Sequence, residues 1–195
     1  MPLILEGIVT TLAADGAANI APMGPEVDEG LTTFVLKPFR TATTYQNLKR
    51  SGEAVFHVTD DVELIARAAV ARIDPLPAME PAHAVEGRIL TSACRWYALR
   101  VRSLDDHEER TRIECEVVDQ GKLRDFFGFN RGKHAVVEAA ILATRTHILP
   151  VEEVLDEFTR LRVAVDKTGG PAEHRAFEYL VEYVKNQYAA RPSQH

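Results

Sequence analysis

The sequence predicts a mainly β fold with α-helices, in which strands fill the first part of the chain and helices the last. An Asp15-Gly16 pair between two β-rich segments is a strong hairpin signal. Residues 85–118 have the pattern of further strands in a meander. After Gly121, apolar residues recur at helical spacing instead. These observations predict a β-sheet followed by a C-terminal helical segment.

The composition is that of an ordinary soluble globular protein. The 195 residues, 46% hydrophobic and 27% charged, fit one domain plus an appendage. A net charge of -6 argues against a protein that neutralises a nucleic-acid backbone. Cys94 and Cys115 form no Cys-x-x-Cys motif, which predicts reduced, buried thiols. Residues 1–14 lack a basic start and the length of a membrane span, so we expect a cytoplasmic location and no membrane partner.

The first half of the chain is predicted to combine strands with two short helices. Thr43 and Gln46 have the spacing of a capping box, which predicts a helix of about two turns that closes near Gly52. Helical spacing over residues 61–73 predicts a second helix, which stops before Pro75. The predicted strands around these helices cover residues 3–13, 18–21, 31–37 and 53–59.

The second half is predicted to change from strands to helices. A charged turn at residues 105–110 joins the last two strands. A long, Ala-rich helix is predicted over residues 130–149. Pro150 then starts a helix that Gly169 and Gly170 close, and Pro171 opens the last one.

Two segments collect the groups that a planar, anionic ligand requires. Residues 19–25 leave a strand through Pro and Gly, which exposes backbone N–H and C=O groups to a flat ligand. Residues 37–48 place Arg40 and several hydroxyls just ahead of a helix N-terminus, where an anion is favoured. The alternatives are a plain connecting loop for the first segment and, for the second, a capping Thr43 with a solvated Arg40.

The order of these segments resembles a known family. Strand, Asp-Gly turn, NIAPMGP, strand and KPFRTATTYQNLKRSGEAVFHV are similar to the FMN-binding split β-barrel of the flavin reductase superfamily. More narrowly, NIAPMG, the TTYQNL helix and GFNRGKHAVVEAAILATR resemble domain-of-unknown-function family 447. The resemblance implies a split-barrel FMN-binding domain over residues 1–127 and a C-terminal helical extension packed on it over residues 128–195.

The resemblance also implies a cofactor site and a partner. Main-chain groups of one loop would line the isoalloxazine of FMN, namely those of Asn19, Ile20, Ala21, Pro22 and Met23. A second set would surround the phosphate, namely Arg40, Thr41, Thr43, Thr44 and Asn47. Related barrels hold FMN at a two-fold interface, so the resemblance implies a homodimer. His57 stands where relatives often carry Asn, and it either hydrogen-bonds the cofactor or is a satisfied strand histidine.

The implied function is redox chemistry on FMN, with a nicotinamide or deazaflavin donor and a small-molecule acceptor. A non-catalytic FMN carrier, sensor or assembly protein is the alternative, and a heme or pyridoxal-phosphate binder on a related barrel is a third. No side chain is assigned a catalytic role. The spacing of His and Cys predicts no metal site, and the sequence has neither a P-loop nor a Rossmann fingerprint. Arg131, Lys133 and His134 begin a predicted helix, where cations face either an anion or solvent.

Overall fold

A computed structural model describes residues 3–190 of the chain, which divides into two compact units. The first contains Met1–Asp60 and Pro75–Phe126, and the second contains Asp61–Asp74 and Phe127–His195. The first unit holds all ten strands of the described residues and one helix, and the second holds four helices. The chain is therefore mainly β with a C-terminal helical segment, as the sequence predicts.

The first unit is built on an eight-stranded antiparallel sheet with the order β1-β4-β5-β10-β9-β6-β2-β3. Its strands are β1 (Leu3–Ile4), β2 (Gly7–Leu12), β3 (Ala18–Met23), β4 (Glu26–Val27), β5 (Thr33–Leu36), β6 (Glu53–Val58), β9 (Arg95–Asp105) and β10 (Arg112–Lys122). Strands β7 (Met79–Pro81) and β8 (Arg88–Leu90) form a separate hairpin. Met79 pairs with Leu90 in this hairpin.

The core of this unit forms around aromatic residues on three strands. The ring of Phe34 lies 5.2 Å from that of Phe56 and 5.3 Å from that of Tyr97. Every residue of β2 is buried, because the strand is covered on both faces. That is why the β-branched and apolar pattern of β2 predicts a strand so well. Cys115 is also part of this core, and both Cys94 and Cys115 are buried and form no disulfide.

Helix α1 (Thr43–Ser51) has the predicted length but a different start. Its N-cap is Ala42, and no side chain caps it, so the capping box predicted at Thr43 and Gln46 is wrong. Gln46 instead donates its side-chain amide to the Arg40 carbonyl at 2.9 Å. The helix closes at Gly52, whose φ of 71° is the left-handed conformation that glycine tolerates.

The second unit is a helical cluster. Its helices are α2 (Val62–Val70), α3 (Arg131–Ala143), α4 (Val151–Thr168) and α5 (Pro171–Ala189). Phe158 and Phe177 pack in its core with ring centroids 5.5 Å apart. The helix predicted over residues 130–149 ends at Ala143, because the chain turns there before Pro150. Within residues 3–190, no helix is both long and apolar enough to cross a membrane.

Candidate functional site

Strand β3 presents an open backbone edge. Within the described residues its neighbour is β2 alone, and the sheet order ends at β3. Ala13 donates its N–H to the Ala17 carbonyl at 2.9 Å, which fixes the phase of the β2–β3 hydrogen bonds. Because these bonds alternate along an antiparallel pair, the backbone groups of Ala18, Ile20 and Pro22 point away from β2. A row of donors and acceptors therefore lines the edge.

The position of Pro22 fits this arrangement. Pro has no backbone N–H, so it is tolerated in a strand where that side faces away from the ladder. Pro22 lies opposite Ile8, at such an outward-facing pair. The edge thus offers the N–H and C=O of Ile20 and the C=O of Pro22. The side chains of β3 are half-buried along its whole length, so each is partly open to solvent.

A network of polar side chains joins β2, β3 and α1. Asn47 donates from its side-chain amide to the hydroxyl of Thr11 at 2.9 Å. Asn19 donates to the same hydroxyl at 3.4 Å and to the hydroxyl of Thr44 at 3.1 Å. Thr11, Thr44 and Asn47 are buried and Asn19 is half-buried, so the bond between Asn47 and Thr11 is buried and the two bonds from Asn19 are partly buried. The network therefore holds the start of α1 beside the open strand β3.

The N-terminus of α1 is a ready anion site. Gln46 is the first residue to donate its backbone N–H into the helix, to Ala42 at 3.2 Å. The N–H groups of Thr43, Thr44 and Tyr45 precede it and have no intrahelical partner. Within residues 3–190, the structure gives the exposed Arg40 guanidinium no hydrogen bond or ion pair. Backbone donors, the helix dipole and a positive charge therefore converge at this point.

An open cleft of about 620 Å³ lies against this helix start, lined by Arg40, Thr41, Tyr45, Gln46, Lys49 and Glu109. Lys49 and Tyr45 both bond the carboxylate of Asp106, at 2.8 and 2.6 Å. The hydrogen bonds from Lys49 and Tyr45 lower the pKa of Asp106 to about 2. Asp106 is therefore ionised at neutral pH and offsets the charge of Lys49. Arg40 also contributes to the lowered pKa of Asp106 through its charge, but within residues 3–190 its guanidinium makes no ion pair.

His57 lies on the opposite face of the sheet from this network. Its ring is fully buried, and Nδ1 lies 3.2 Å from the Ile8 carbonyl. Nε2 accepts from the backbone N–H of Leu90 at 3.0 Å, so Nδ1 carries the proton and donates it to Ile8. Burial lowers the pKa of His57 to about 4. Of the two roles that the sequence allows, the structure gives His57 that of a satisfied strand histidine.

The structure brings most of the predicted residues together in two neighbouring groups. Asn19, Thr44 and Asn47 share the buried network, and Arg40, Thr41 and Thr43 are exposed at the start of α1. Sequence reasoning misses Thr11, whose hydroxyl joins Asn19 and Asn47 within the buried network. Its position on the same face of β2 as Val9 was the available signal, but the strand pattern alone does not show that a helix covers this face.

The cationic segment at the start of α3 is used within the helical unit. Asn130 caps the helix by accepting from the Lys133 N–H at 3.0 Å. Lys133 bonds the buried carboxylate of Glu173 at 2.7 Å. The carboxylate of Glu173 therefore accounts for the charge of Lys133, in place of the external anion or solvent that the sequence suggests. In the described part of the chain, no group of three or more His, Cys, Asp or Glu side chains is placed to hold a metal ion.

The architecture is similar to several solved structures. An FMN-bound protein from Methanosarcina mazei, of the DUF447 family, superposes with a TM-score of 0.81 at 22% identity, over 94% of this chain and 96% of that one. The styrene monooxygenase flavin reductase from Pseudomonas putida S12 superposes with a TM-score of 0.52 at 13% identity, over 61% of this chain and 80% of that one. An FMN-binding protein from Thermus thermophilus with bound 1-cyclohex-2-enone superposes with a TM-score of 0.53 at 12% identity, over 63% of this chain and 72% of that one. The chain therefore shares its fold with these proteins, over nearly its whole length with the first and over about three fifths of its length with the other two.

Sequence comparison gives the family directly. No curated protein matches the sequence. The model described as the N-terminal domain of a protein of unknown function (DUF447) matches residues 5–124, and a second DUF447 model matches residues 130–182. Together these models span most of both structural units. The chain therefore belongs to the DUF447 family.

Proposed function

We propose that this protein binds FMN, with the isoalloxazine along the open edge of β3 and the phosphate at the N-terminus of α1. The observation that carries the proposal is the polar network around Thr11, which holds these two surfaces side by side. The M. mazei relative, which has the same fold over nearly its whole length, is an FMN-bound protein.

The open edge fits the ring because both are flat and both alternate donors and acceptors. The pyrimidine part of a flavin has one N–H between carbonyl oxygens. The C=O of Ile20 can accept from this N–H, and the N–H of Ile20 can donate to one of the two carbonyl oxygens. Asn19, Ala21 and Met23 direct their backbone groups to β2, so their contribution is to hold the strand and to shape the surface beside it.

The start of α1 fits a phosphate because it combines three kinds of donor. The side chains of Arg40, Thr41 and Thr43 are exposed there, and the backbone N–H groups of the first helical turn point outward. The hydroxyl of Thr44 accepts from Asn19, and Asn47 bonds Thr11. We therefore give Thr44 a backbone contact with the phosphate and Asn47 a positioning role. His57 is left out of the site.

When bound, FMN supplies hydride or electron transfer. The chain's own residues bind and orient the cofactor. The ring segment and the phosphate segment contain no Asp, Glu, His or Cys between residues 19 and 23 or between residues 40 and 47. We propose a flavin-dependent oxidoreductase, or the reductase component of one, with a nicotinamide or deazaflavin donor and a small-molecule acceptor. We place it in the cytoplasm.

We also propose that the protein works as a homodimer with FMN at the interface. A flat ligand on an open strand edge keeps one face in solvent in a single copy of the chain. A second copy would cover that face, exclude water and close the edge of the sheet. Sedimentation of the FMN-loaded protein tests this point: a mass twice that of the 21.7 kDa chain supports it, and a single chain contradicts it.

A second function is favoured because residues 19–23, which we assign to the ring, include no Asp, Glu, His or Cys. Hydride transfer from a donor needs no protein acid, but many acceptors must also be protonated. A chain that binds FMN and supplies no proton is suited to carrying or sensing the flavin. The two functions differ in turnover, since only the first predicts rapid reduction of the bound flavin.

The experiment is an anaerobic titration of the FMN-loaded protein with NADH, NADPH or a reduced deazaflavin, followed at the visible flavin band. Bleaching by one donor, with recovery when an acceptor is added, supports the oxidoreductase. Stable binding without bleaching by any of them supports the carrier or sensor. A protein that fails to bind FMN in a fluorescence titration rejects both functions.

A further inference from the structure

A second cleft opens from the core of the β unit, on a different set of residues. It has a volume of about 260 Å³. Leu5, Leu31, Val58 and Tyr97 form its apolar part, and all four belong to the aromatic core of the sheet or pack against it. These four side chains are buried or half-buried, so the cleft is a recess in the core with an apolar floor.

The rim of this cleft is positively charged. Arg95, Lys122 and Arg124 line it, with Asp125 as the acidic member. Lys122 pairs with Asp125, and Arg124 bonds the buried carboxylate of Asp60 at 2.5 and 3.0 Å. Within residues 3–190, the structure gives the exposed Arg95 side chain no hydrogen bond or ion pair. Lys122 and, through its charge, Arg95 both lower the pKa of Asp125. The three cations still outnumber Asp60 and Asp125, so the rim holds more positive than negative charge.

Two local features at the cleft are unfavourable for the fold by itself. Arg95 and Lys122 lie directly opposite each other at the end of the β9–β10 pair, and like charges in such a pair repel. Leu31 has a φ of 52°, a left-handed conformation that is rare for a branched apolar residue. Its turn is fixed by Asp28, whose carboxylate accepts from the N–H groups of Thr32 and Thr33 at 2.8 and 2.7 Å.

Unfavourable features such as a pair of like charges or a strained backbone concentrate at functional sites, because a ligand can offset their free-energy cost there. An anion beside Arg95 and Lys122 would add to the attraction that Asp125 already gives both cations. An apolar body in the recess would cover the side chain that the turn at Leu31 directs into the cleft. The charged rim therefore points to an anion, and the apolar floor points to an apolar body attached to it.

We propose that this cleft binds a small organic anion, with an apolar body of about one ring and a carboxylate or phosphate head. The body would contact Leu31, Val58 and Tyr97, and the head would contact Arg95 and Lys122. A cavity of about 150 Å³ can hold benzene, so the recess admits a substituted ring and is too small for a flavin. The site does not depend on FMN binding.

The test uses benzoate and phenyl phosphate as probes, with benzyl alcohol as the neutral match. Each is titrated into the full-length, isotope-labelled protein and followed by the backbone amide NMR shifts. The expected result is saturable shifts centred on Val58, Tyr97 and Lys122 for at least one anion. Benzyl alcohol should bind several-fold more weakly. The stronger of the two anions identifies the head group.

Variants of Arg95 distinguish an effect of its charge on anion binding from an effect on the fold. Arg95→Leu should weaken anion binding by about fivefold, the effect of losing one exposed ion pair, and Arg95→Lys should recover part of it. Arg102→Leu is the control, because Arg102 is on the same strand but pairs with Glu116. Repeating the titration with saturating FMN distinguishes the two sites: unchanged shifts support a separate site, and displacement of the anion by FMN overturns it. Absent or unsaturable shifts, or shifts that map elsewhere, also overturn the proposal.

Discussion

The side-chain amide of Asn47 donates to the hydroxyl of Thr11 across 2.9 Å, and this bond ties helix α1 to strand β2. Asn19 on β3 donates to the same oxygen at 3.4 Å. One hydroxyl thus accepts from both the helix that we assign to the phosphate and the strand that we assign to the ring. The spacing of the two surfaces depends on Thr11.

Replacing Thr11 should weaken the binding of FMN more than that of riboflavin, which lacks the phosphate. Thr11→Val keeps the shape of the side chain but removes the acceptor, so the register of α1 against β3 is no longer fixed. We expect FMN affinity to fall by about 1 kcal/mol or more, and riboflavin affinity to fall less. The measurement is a fluorescence titration with each flavin.

Thr11→Ser is the matched control, because it keeps the hydroxyl and should retain most of the FMN affinity. Thermal unfolding of both variants reports any general loss of stability. An equal loss of FMN and riboflavin affinity in Thr11→Val would show that Thr11 supports the fold without setting the spacing.

Arg40→Ala should weaken FMN binding by about 1.5 to 3 kcal/mol, the range for a hydrogen bond to a charged group. Riboflavin binding should not change, because the guanidinium contacts only the phosphate in our account. Arg102→Ala removes an exposed arginine of the same unit that pairs with Glu116, and it serves as the control. Unchanged FMN affinity in Arg40→Ala would move the phosphate away from this helix start.

Gly7→Ala should destabilise the β unit. A Cβ at this position would lie 2.5 Å from Cζ of Phe56 and would also meet the carbonyl oxygen of His57, both in the buried part of the sheet. Overpacking of this kind costs about 1 to 3 kcal/mol. Gly30→Ala is the control, since its added carbon has its nearest neighbour, in the side chain of Asp28, at 3.3 Å. Urea unfolding measures both, and equal stability of the two variants would contradict the packing around Gly7.

His57 should make the protein less stable in mild acid. Its pKa is lowered from 6.5 to about 4 in the folded state, so between these values the unfolded chain binds the proton and the folded chain does not. Stability therefore rises with pH across this window and falls as the pH drops. Between about pH 7.5 and about pH 5, the expected loss from this group is about 2 kcal/mol.

Urea unfolding at the two pH values checks this prediction. His57→Gln removes the titrating ring, so its stability should depend less on pH than that of the unchanged protein, whatever its stability at neutral pH. His107→Gln, at an exposed position, should keep the full dependence. The same dependence in all three proteins would mean that other groups cause the acid loss.

The sequence predicts those elements that local pattern decides. Strands β2 and β6 follow from their β-branched and apolar residues, and the last two helices follow from Pro150, Gly169 and Pro171. The short strand β4 lies inside a segment rich in Pro and Gly and exists because β1 and β5 pair with it. Its pairing depends on tertiary contacts, so the local sequence pattern does not predict this strand.

The site divides in the same way. Arg40 and the threonines before α1 stand out because a cation and hydroxyls ahead of a helix have a known use. Thr11 does not stand out, since only the packing of α1 on β2 gives its hydroxyl two donors. The prediction of a capping box at Thr43 is wrong because Ala42 is the N-cap residue and the Gln46 side chain bonds the Arg40 carbonyl instead. Arg95 and Lys122 become neighbours only through strand register.

The most direct test of the central claim is gel filtration of the purified protein after incubation with excess FMN, with absorption recorded across the peak. Our account predicts that the flavin bands elute with the protein at about one FMN per chain, because ring and phosphate are held together. Loss of these bands in Arg40→Ala but not in Arg102→Ala would place the phosphate as proposed. A colourless protein peak would contradict the account, leaving the fold without its cofactor.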